Sequence, residues 1–435
     1  MNKLVDALNR FSGKYLRHYR DRMPIGHLKA LSNFTHCRTE AYGKFVGACT
    51  GCGLIEESYG ACRNRACPKC NNSGTSEWIE KAKARLPNTS YFHMVFTVPS
   101  ELHSIGRRNQ KVFYEKLMAA VGETLTAFGA SRKWVHGRIG FMTFLHTWDS
   151  KLNFHPHVHV LAMGGYLDEK GDWVAVQRGE LFPARALSKR FKTVFLKSLR
   201  QSLGENIPST FWKLPWVVYS KKTFPGTQSV IEYLGRYVKK IGIGASRLLR
   251  VDKKGVVLKY RHRLGRESHE FRSMRLTGEE FMRRYLQHVL PKGFVRLRYC
   301  GLVHPYFEKE LARIRGRVAT EVKEEIGTVP PVKACRECQG PLVEVARQVP
   351  SFFTRRKKRR GNSIYRRERG RAMGKKGGAS PHNKLIEPIA RGRHVACGAS
   401  AAPVPAGRVR TGLAPPPCSR LISTLYGRGS RHATS

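Results

Sequence analysis

Six of the chain's eleven cysteines, Cys37, Cys49, Cys52, Cys62, Cys67 and Cys70, fall between residues 37 and 70, and this crowding restricts the local fold more than any other feature. Gly43, Gly47, Gly51, Gly53 and Gly60 lie among them, so the stretch reads as loops and hairpins. Cys49-x2-Cys52 and Cys67-x2-Cys70 are two knuckles, each aiming two thiolates at one point. Two such pairs would complete one tetrahedron around a structural Zn²⁺. Cys37 and Cys62 remain over, and read either as buried thiols or as ligands of a second ion with His36. Arg63, Arg65 and Lys69 crowd the knuckles and could touch DNA. Farther on, Cys335-x2-Cys338 is a lone pair with no second knuckle near it in sequence.

Metal is the expected use of these thiols because nothing in the sequence points to an oxidising compartment. There is no apolar run long enough to span a membrane and no signal-peptide core, so a cytoplasmic location is expected. In that setting a disulfide framework is not. The charge balance narrows the partner: 80 Lys+Arg against 31 Asp+Glu leave +49, a surplus suited to nucleic acid. From Ser351 to Ser435 there are 20 basic residues and two acids, Glu368 and Glu387, with no sustained periodicity. Residues 351–435 therefore read as a basic, disordered tail.

Between these ends the periodicity alternates between strand and helix. Leu4, Val5, Leu8, Phe11 and Tyr15 predict an amphipathic N-terminal helix. Helices are expected near 76–85, 109–128, 185–203, 227–240 and 278–289. Strands are expected at 91–98, 139–148, 154–163, 216–219 and 294–299, with a hairpin joining 248–250 to 256–261. The interleaving predicts an α/β or α+β sandwich, one sheet covered by helices, and α+β is the class expected here. At 435 residues two or three folded units are expected.

Two of these elements carry chemistry. His155-Pro-His157-Val-His159-Val160 alternates strictly, so in a strand His157 and His159 share a face, about 6.5–7 Å apart at Cα, and can converge on one cation. Val158 and Val160 would then pack into the core behind. In Ile231-Glu-Tyr233-Leu-Gly-Arg-Tyr237-Val-Lys-Lys240, Tyr233 and Tyr237 stand at i and i+4 on one helical face, with Arg236, Lys239 and Lys240 around them. Cutting and rejoining a phosphodiester without ATP requires the bond energy to be stored covalently, and a phenolic oxygen can do this as a phosphotyrosine. A divalent ion beside it would polarise the non-bridging oxygens.

Taken in order, the motifs resemble the transposases of the insertion sequence 91 family, which are related to rolling-circle replication proteins. The likeness covers about residues 1–345. It rests on Cys37-Arg-Thr39, Cys62-Arg-Asn-Arg-Ala-Cys-Pro-Lys-Cys70, Tyr91-Phe-His-Met-Val-Phe-Thr-Val-Pro99, Leu152-Asn-Phe-His-Pro-His-Val-His-Val160, Tyr233-Leu-Gly-Arg-Tyr237, Leu276-Thr-Gly-Glu-Glu-Phe281 and Leu290-Pro-Lys-Gly-Phe294. The resemblance implies a small zinc-binding domain followed by an HUH nuclease domain with a central antiparallel sheet flanked by helices. It places the zinc domain at 1–88, the nuclease at 89–300, an extension at 301–350 and the tail beyond. It makes His157 and His159 ligands of Mg²⁺ or Mn²⁺, and Tyr233 and Tyr237 the nucleophiles. The implied reaction is nicking and rejoining of single-stranded DNA at element ends through a 5′-phosphotyrosine, that is, rolling-circle transposition. A third metal ligand is expected from His155, His146, Asp149 or Gln228. Ala66 stands where relatives commonly carry His, and the tail departs from the family, as a frameshifted or fused reading frame would. Other readings of the same residues are a plasmid replication initiator or relaxase, and a non-catalytic zinc-containing nucleic-acid-binding protein.

Overall fold

A computed structural model describes residues 2–70, 75–204, 207–224, 226–227, 229–230, 242–264, 268–318, 335–338, 340 and 342–348. The chain begins with helix α1 (Lys3–Tyr19), capped by the Asn2 side chain, which accepts a hydrogen bond from the backbone N–H of Leu4. Leu4, Ala7, Leu8, Phe11 and Tyr15 form its buried stripe. Helix α2 (Ile25–His36), not foreseen from the sequence, follows. A hairpin of β1 (Lys44–Cys49) and β2 (Ile55–Tyr59) precedes helix α3 (Thr75–Arg85).

The central sheet comprises β3 (Tyr91–Thr97), β4 (Arg138–Trp148), β5 (Phe154–Leu167), β6 (Trp173–Ala175), β7 (Val217–Phe224) and β11 (Leu297–Gly301). Its order is β11-β4-β5-β3-β7, with β6 on β5, and every pairing is antiparallel. Strand alternation gives it two different faces. Phe92, Met94 and Phe96, with Val158, Val160 and Ala162, point to the side covered by α4 (His103–Arg108), α5 (Gln110–Ala130) and α6 (Ala184–Leu203). Phe113, Leu117, Phe191 and Phe195 of those helices fill the layer between. On the other face Tyr91, Met142, Phe144, Leu161 and Met163 meet Ala82 of α3 and Leu311 and Ile314 of α8 (Glu308–Val318).

Strand β5 runs on through Gly164-Gly165, where the sequence suggested an end. A Cβ at Gly164 would lie 2.1 Å from Ser90 Oγ, and one at Gly165 2.3 Å from Trp173 Cζ2. These glycines admit close neighbours inside the strand and do not terminate it. Pro156 is tolerated in mid-strand because β4 bulges opposite it, between His146 and Trp148, and the β3 register ends at Thr97–His157.

A second core joins the N-terminal residues to a later stretch of the chain. Leu4, Leu8, Phe11, Leu31 and Phe34 pack with Ile243, Leu248, Leu258 and Phe281. Leu248, Leu258 and Phe281 belong to the sheet β8 (Leu248–Asp252), β9 (Gly255–Arg263) and β10 (His269–Leu276), and to helix α7 (Gly278–Leu286), while Ile243 precedes them. Strand β10 escaped the sequence reading because most of its side chains are polar and outward. The apolar surface of residues 4–70 is thus completed by residues 243–289. Finally β12 (Leu342–Gln348) returns to pair antiparallel with β1. The basic tail, 351–435, lies outside the described residues.

Candidate active site and thiolate clusters

The register of β4 against β5 sets His146 directly opposite His157 and Phe144 opposite His159, so three imidazoles share one face at the centre of the sheet. Ligand-capable atoms of His146, His157 and His159 lie within 4.8 Å of one another. His157 Nδ1 is 2.7 Å from the His155 carbonyl oxygen, which fixes its proton there and turns Nε2 outward as a bare lone pair. That Nε2 faces His159 Nε2 at 3.1 Å. Two nitrogens bound at about 2.0–2.1 Å to one tetrahedral ion stand roughly 3.3 Å apart, so the spacing fits a shared divalent cation.

His159 is oriented from its far side. Its Nδ1 lies 2.9 Å from His93 Nε2, with the two rings stacked 5.2 Å apart. If Nε2 of His159 is the ligating atom, Nδ1 carries the proton and donates it to His93. Burial lowers the pKa of His157 to about 4 and that of His93 to about 4, and pulls His146 and His159 well below the ordinary value. All four are therefore neutral at pH 7, the form that binds metal. Trp148 stacks on His146 at 4.8 Å, and the guanidinium of Arg296 sits 5.0 Å over the Trp148 ring while its Nε donates to the Leu145 carbonyl. Burial lowers Arg296 to about 10, which still leaves it a cation at neutral pH.

Of the expected third ligands the fold brings in His146, not His155. His155 offers its carbonyl to His157, and its ring lies edge-on to His103 at 5.7 Å. Asp149 is occupied otherwise: it accepts from the backbone N–H groups of Lys151 and Asn153 and from the Asn153 side chain. Gln228 lies outside the described residues, as do Tyr233, Tyr237, Arg236, Lys239 and Lys240. The flanks of that segment are described. Thr227 Oγ1 donates to the Pro87 carbonyl and Val230 is fully buried. At the other end Gly242 has φ +54°, and a Cβ there would lie 2.7 Å from Leu152 Cδ2 and 3.8 Å from Trp148 Cγ. Gly242 thus lies against Trp148, the residue that stacks on His146.

The cysteines form two clusters, and the pairing expected from the sequence is corrected. Cys67 and Cys70 gather with Cys37 and Cys62, while Cys49 and Cys52 gather with Cys335 and Cys338. Hairpin length is the reason. Cys49 lies at the tip of β1–β2, whereas the base, where Arg38 N–H bonds to the Gly60 carbonyl, holds Cys37 and Cys62. Six strand residues span about 20 Å, too far for one ion to reach both groups. In the first cluster Cys37 Sγ is 3.4 Å and Cys62 Sγ 3.7 Å from Cys70 Sγ. The Cys62 thiol hydrogen bond holds Cys67 down at about 5, and burial pushes Cys37 up to about 11. His36 is not in this set among the described residues. Ala66 is buried in the second core, its carbonyl accepting from Tyr285 Oη at 2.7 Å. Arg65 and Lys69 brace the module through bonds to the carbonyls of Phe294 and Cys37, and Arg63 is exposed at φ 52°.

His93 and Arg296 were missed by the sequence reading. His93 alternates with the core residues Phe92 and Met94, and only strand order reveals that its face is the histidine face. Among the described residues no helix is long and apolar enough to cross a membrane.

Residues 7–98 match a family described as a transposase zinc-binding domain, and residues 140–310 match one described as "Putative transposase". The chain is 32% identical over 341 residues to a protein named "Putative transposase y4qJ" from Sinorhizobium fredii, covering 74% of this chain and 85% of that one. It is 29% identical over 271 residues to the transposase for insertion sequence element IS801 of Pseudomonas savastanoi pv. phaseolicola, covering 58% of this chain and 63% of that one. No solved structure matches.

Proposed function

The chain belongs to the insertion sequence 91 family of transposases, and from that premise we propose that it cuts and rejoins single-stranded DNA at element ends through a 5′-phosphotyrosine. The observation that carries this reading is the convergence of His146, His157 and His159 from two neighbouring strands, within 4.8 Å, on one face of the sheet. The neutral imidazoles would hold a divalent ion, which supplies Lewis-acid polarisation of the scissile phosphate. An all-imidazole set suits a transition ion such as Mn²⁺ better than Mg²⁺, whose preferred donors are oxygens.

The nucleophile is assigned to Tyr233 or Tyr237. The phenolic oxygen forms a bond to phosphorus, the bond from phosphorus to the 3′ oxygen breaks, and the phenolic proton leaves to solvent. The released 3′ oxygen takes up a proton and becomes a free hydroxyl. The bond energy stays in the phosphotyrosine, so a later hydroxyl can reverse the step on another strand. The second tyrosine serves the other end or the target, which permits rolling-circle transposition. Tyr219, exposed on β7 and edge-on to His93 at 6.2 Å, offers a ring on which an unpaired base can stack. Arg296 adds a fixed positive charge behind the triad. Zinc held by cysteines 37, 62, 67 and 70 would keep the N-terminal module folded.

The test is a covalent adduct. The purified chain is incubated with a single-stranded element end and Mn²⁺, and the products are resolved on a denaturing gel. A protein–DNA adduct is expected, lost in Tyr233→Phe/Tyr237→Phe and in His157→Ala/His159→Ala. An undiminished adduct in the double tyrosine variant would show the nucleophile to be wrong. Cleavage surviving EDTA and the histidine changes would remove the metal from the mechanism.

A further inference from the structure

The second cysteine cluster lies outside what the family match accounts for. Cys49 and Cys52 fall within the matched zinc-binding segment, 7–98, but Cys335 and Cys338 lie beyond both matched segments. The four thiols nevertheless lie within 4.8 Å of one another, with Cys49 Sγ 3.4 Å from Cys338 Sγ and Cys52 Sγ 3.6 Å from Cys335 Sγ. The two knuckles are built alike. Gly51 N–H points at Cys49 Sγ and Gly340 N–H at Cys338 Sγ, each at 3.4 Å, so a backbone donor faces one sulfur in each half. Both glycines leave room for this approach. A Cβ at Gly51 would lie 3.3 Å from Cys338 Sγ, and one at Gly340 would lie 3.2 Å from Cys338 Sγ and 3.3 Å from Cys49 Sγ.

We infer that Cys49, Cys52, Cys335 and Cys338 form a second structural Zn²⁺ site, which clamps β12 onto the N-terminal hairpin. Four thiolates in a compact tetrad select a borderline-soft, tetrahedral dication, and a closed set of four leaves no position for catalysis. The clamp has a visible mechanical consequence. β12 begins at Leu342 opposite Cys49 and runs antiparallel along β1 to Gln348 opposite Lys44, adding a third strand to a two-stranded ribbon. Two strands alone are marginal in water. Val343 and Val345 of β12 are 51% and 60% exposed, so apolar burial contributes little to holding the strand there. Arg336 assists through an ion pair to Glu56 at 3.1 Å, but an exposed pair is a weak tether. Ligation of one ion by all four thiolates would tie β12 to the hairpin more strongly than these contacts.

The experiment uses the full chain purified from zinc-supplemented medium. In a His157→Ala/His159→Ala background, which removes the imidazole set, elemental analysis should find two zinc ions per chain, and adding Cys335→Ser/Cys338→Ser should leave one. Background protein with a single zinc, a cysteine variant that keeps two, or iron in place of zinc would each overturn the assignment. The clamp is read separately by hydrogen exchange. Amides of β12 should exchange at least tenfold faster in the variant, while those of β9 and β10 stay unchanged and certify that the rest of the chain is folded. Cys338→His, which keeps a ligand, should restore both the second zinc and the protection. Protection of β12 that persists in the one-zinc variant would refute the clamp. None of these readouts depends on DNA cleavage, so their outcome is independent of the proposed nuclease reaction.

Discussion

Replacing His93 by Phe isolates the support of one metal ligand from the ligand itself. The ring volume is nearly kept, but the acceptor that His93 Nε2 offers to His159 Nδ1 at 2.9 Å is removed. His159 then either keeps an unsatisfied Nδ1–H in a desolvated site or moves its proton to Nε2, where it blocks the metal. Leaving a buried donor without its partner costs about 1–3 kcal/mol. At about 1.4 kcal/mol per decade, that is a weakening of roughly 5–150-fold in metal affinity, in line with the roughly 10–100-fold general for such outer partners. Calorimetric titration of Mn²⁺ into the zinc-loaded parent and into His93→Phe should show this loss. His93→Gln, whose amide oxygen can take the place of Nε2, should recover most of it. Binding by His93→Phe within twofold of the parent, or no recovery in His93→Gln, would refute the orienting role.

Three further outcomes are expected. Burial lowers the pKa of His288 from 6.5 to about 4, so the folded state binds fewer protons than the unfolded state between those values. Stability is therefore intact above about pH 6.5 and falls as pH drops toward 4, by about 3 kcal/mol from this group; urea midpoints that stay flat from pH 7.5 to 4.5 would contradict it. If three imidazoles make the catalytic site, adduct formation should saturate at a Mn²⁺ concentration at least tenfold below that of Mg²⁺, and the reverse order would point to oxygen ligands. Val160→Ala removes two methyl groups from a fully buried position between the sheet and α5/α6 and should cost roughly 2 kcal/mol in urea unfolding, whereas a loss under about 0.5 kcal/mol would place Val160 outside the core.

Local periodicity determined a large part of this protein. The alternation of His157, Val158, His159 and Val160 already separates a histidine-bearing side from a core-facing side, because side-chain direction in a strand depends only on residue parity. The stripe on α1, the long helices α5 and α6, and the strands β3, β4 and β5 were legible for the same reason. The cysteine knuckles were legible as sulfur pairs, since a CxxC loop brings its own two sulfurs together. Which knuckle meets which was not. A spacing along the chain says nothing about the roughly 20 Å hairpin between Cys49 and Cys62, nor about a strand from residue 342 returning to β1. The third histidine was undecided for a related reason. His155 is nearer in sequence and has the right parity, yet only the register of β4 on β5 decides that His146 stands opposite His157. Parity and spacing are local, and belong to the sequence; the closing of each ligand set is a long-range pairing, which only the assembled sheets select.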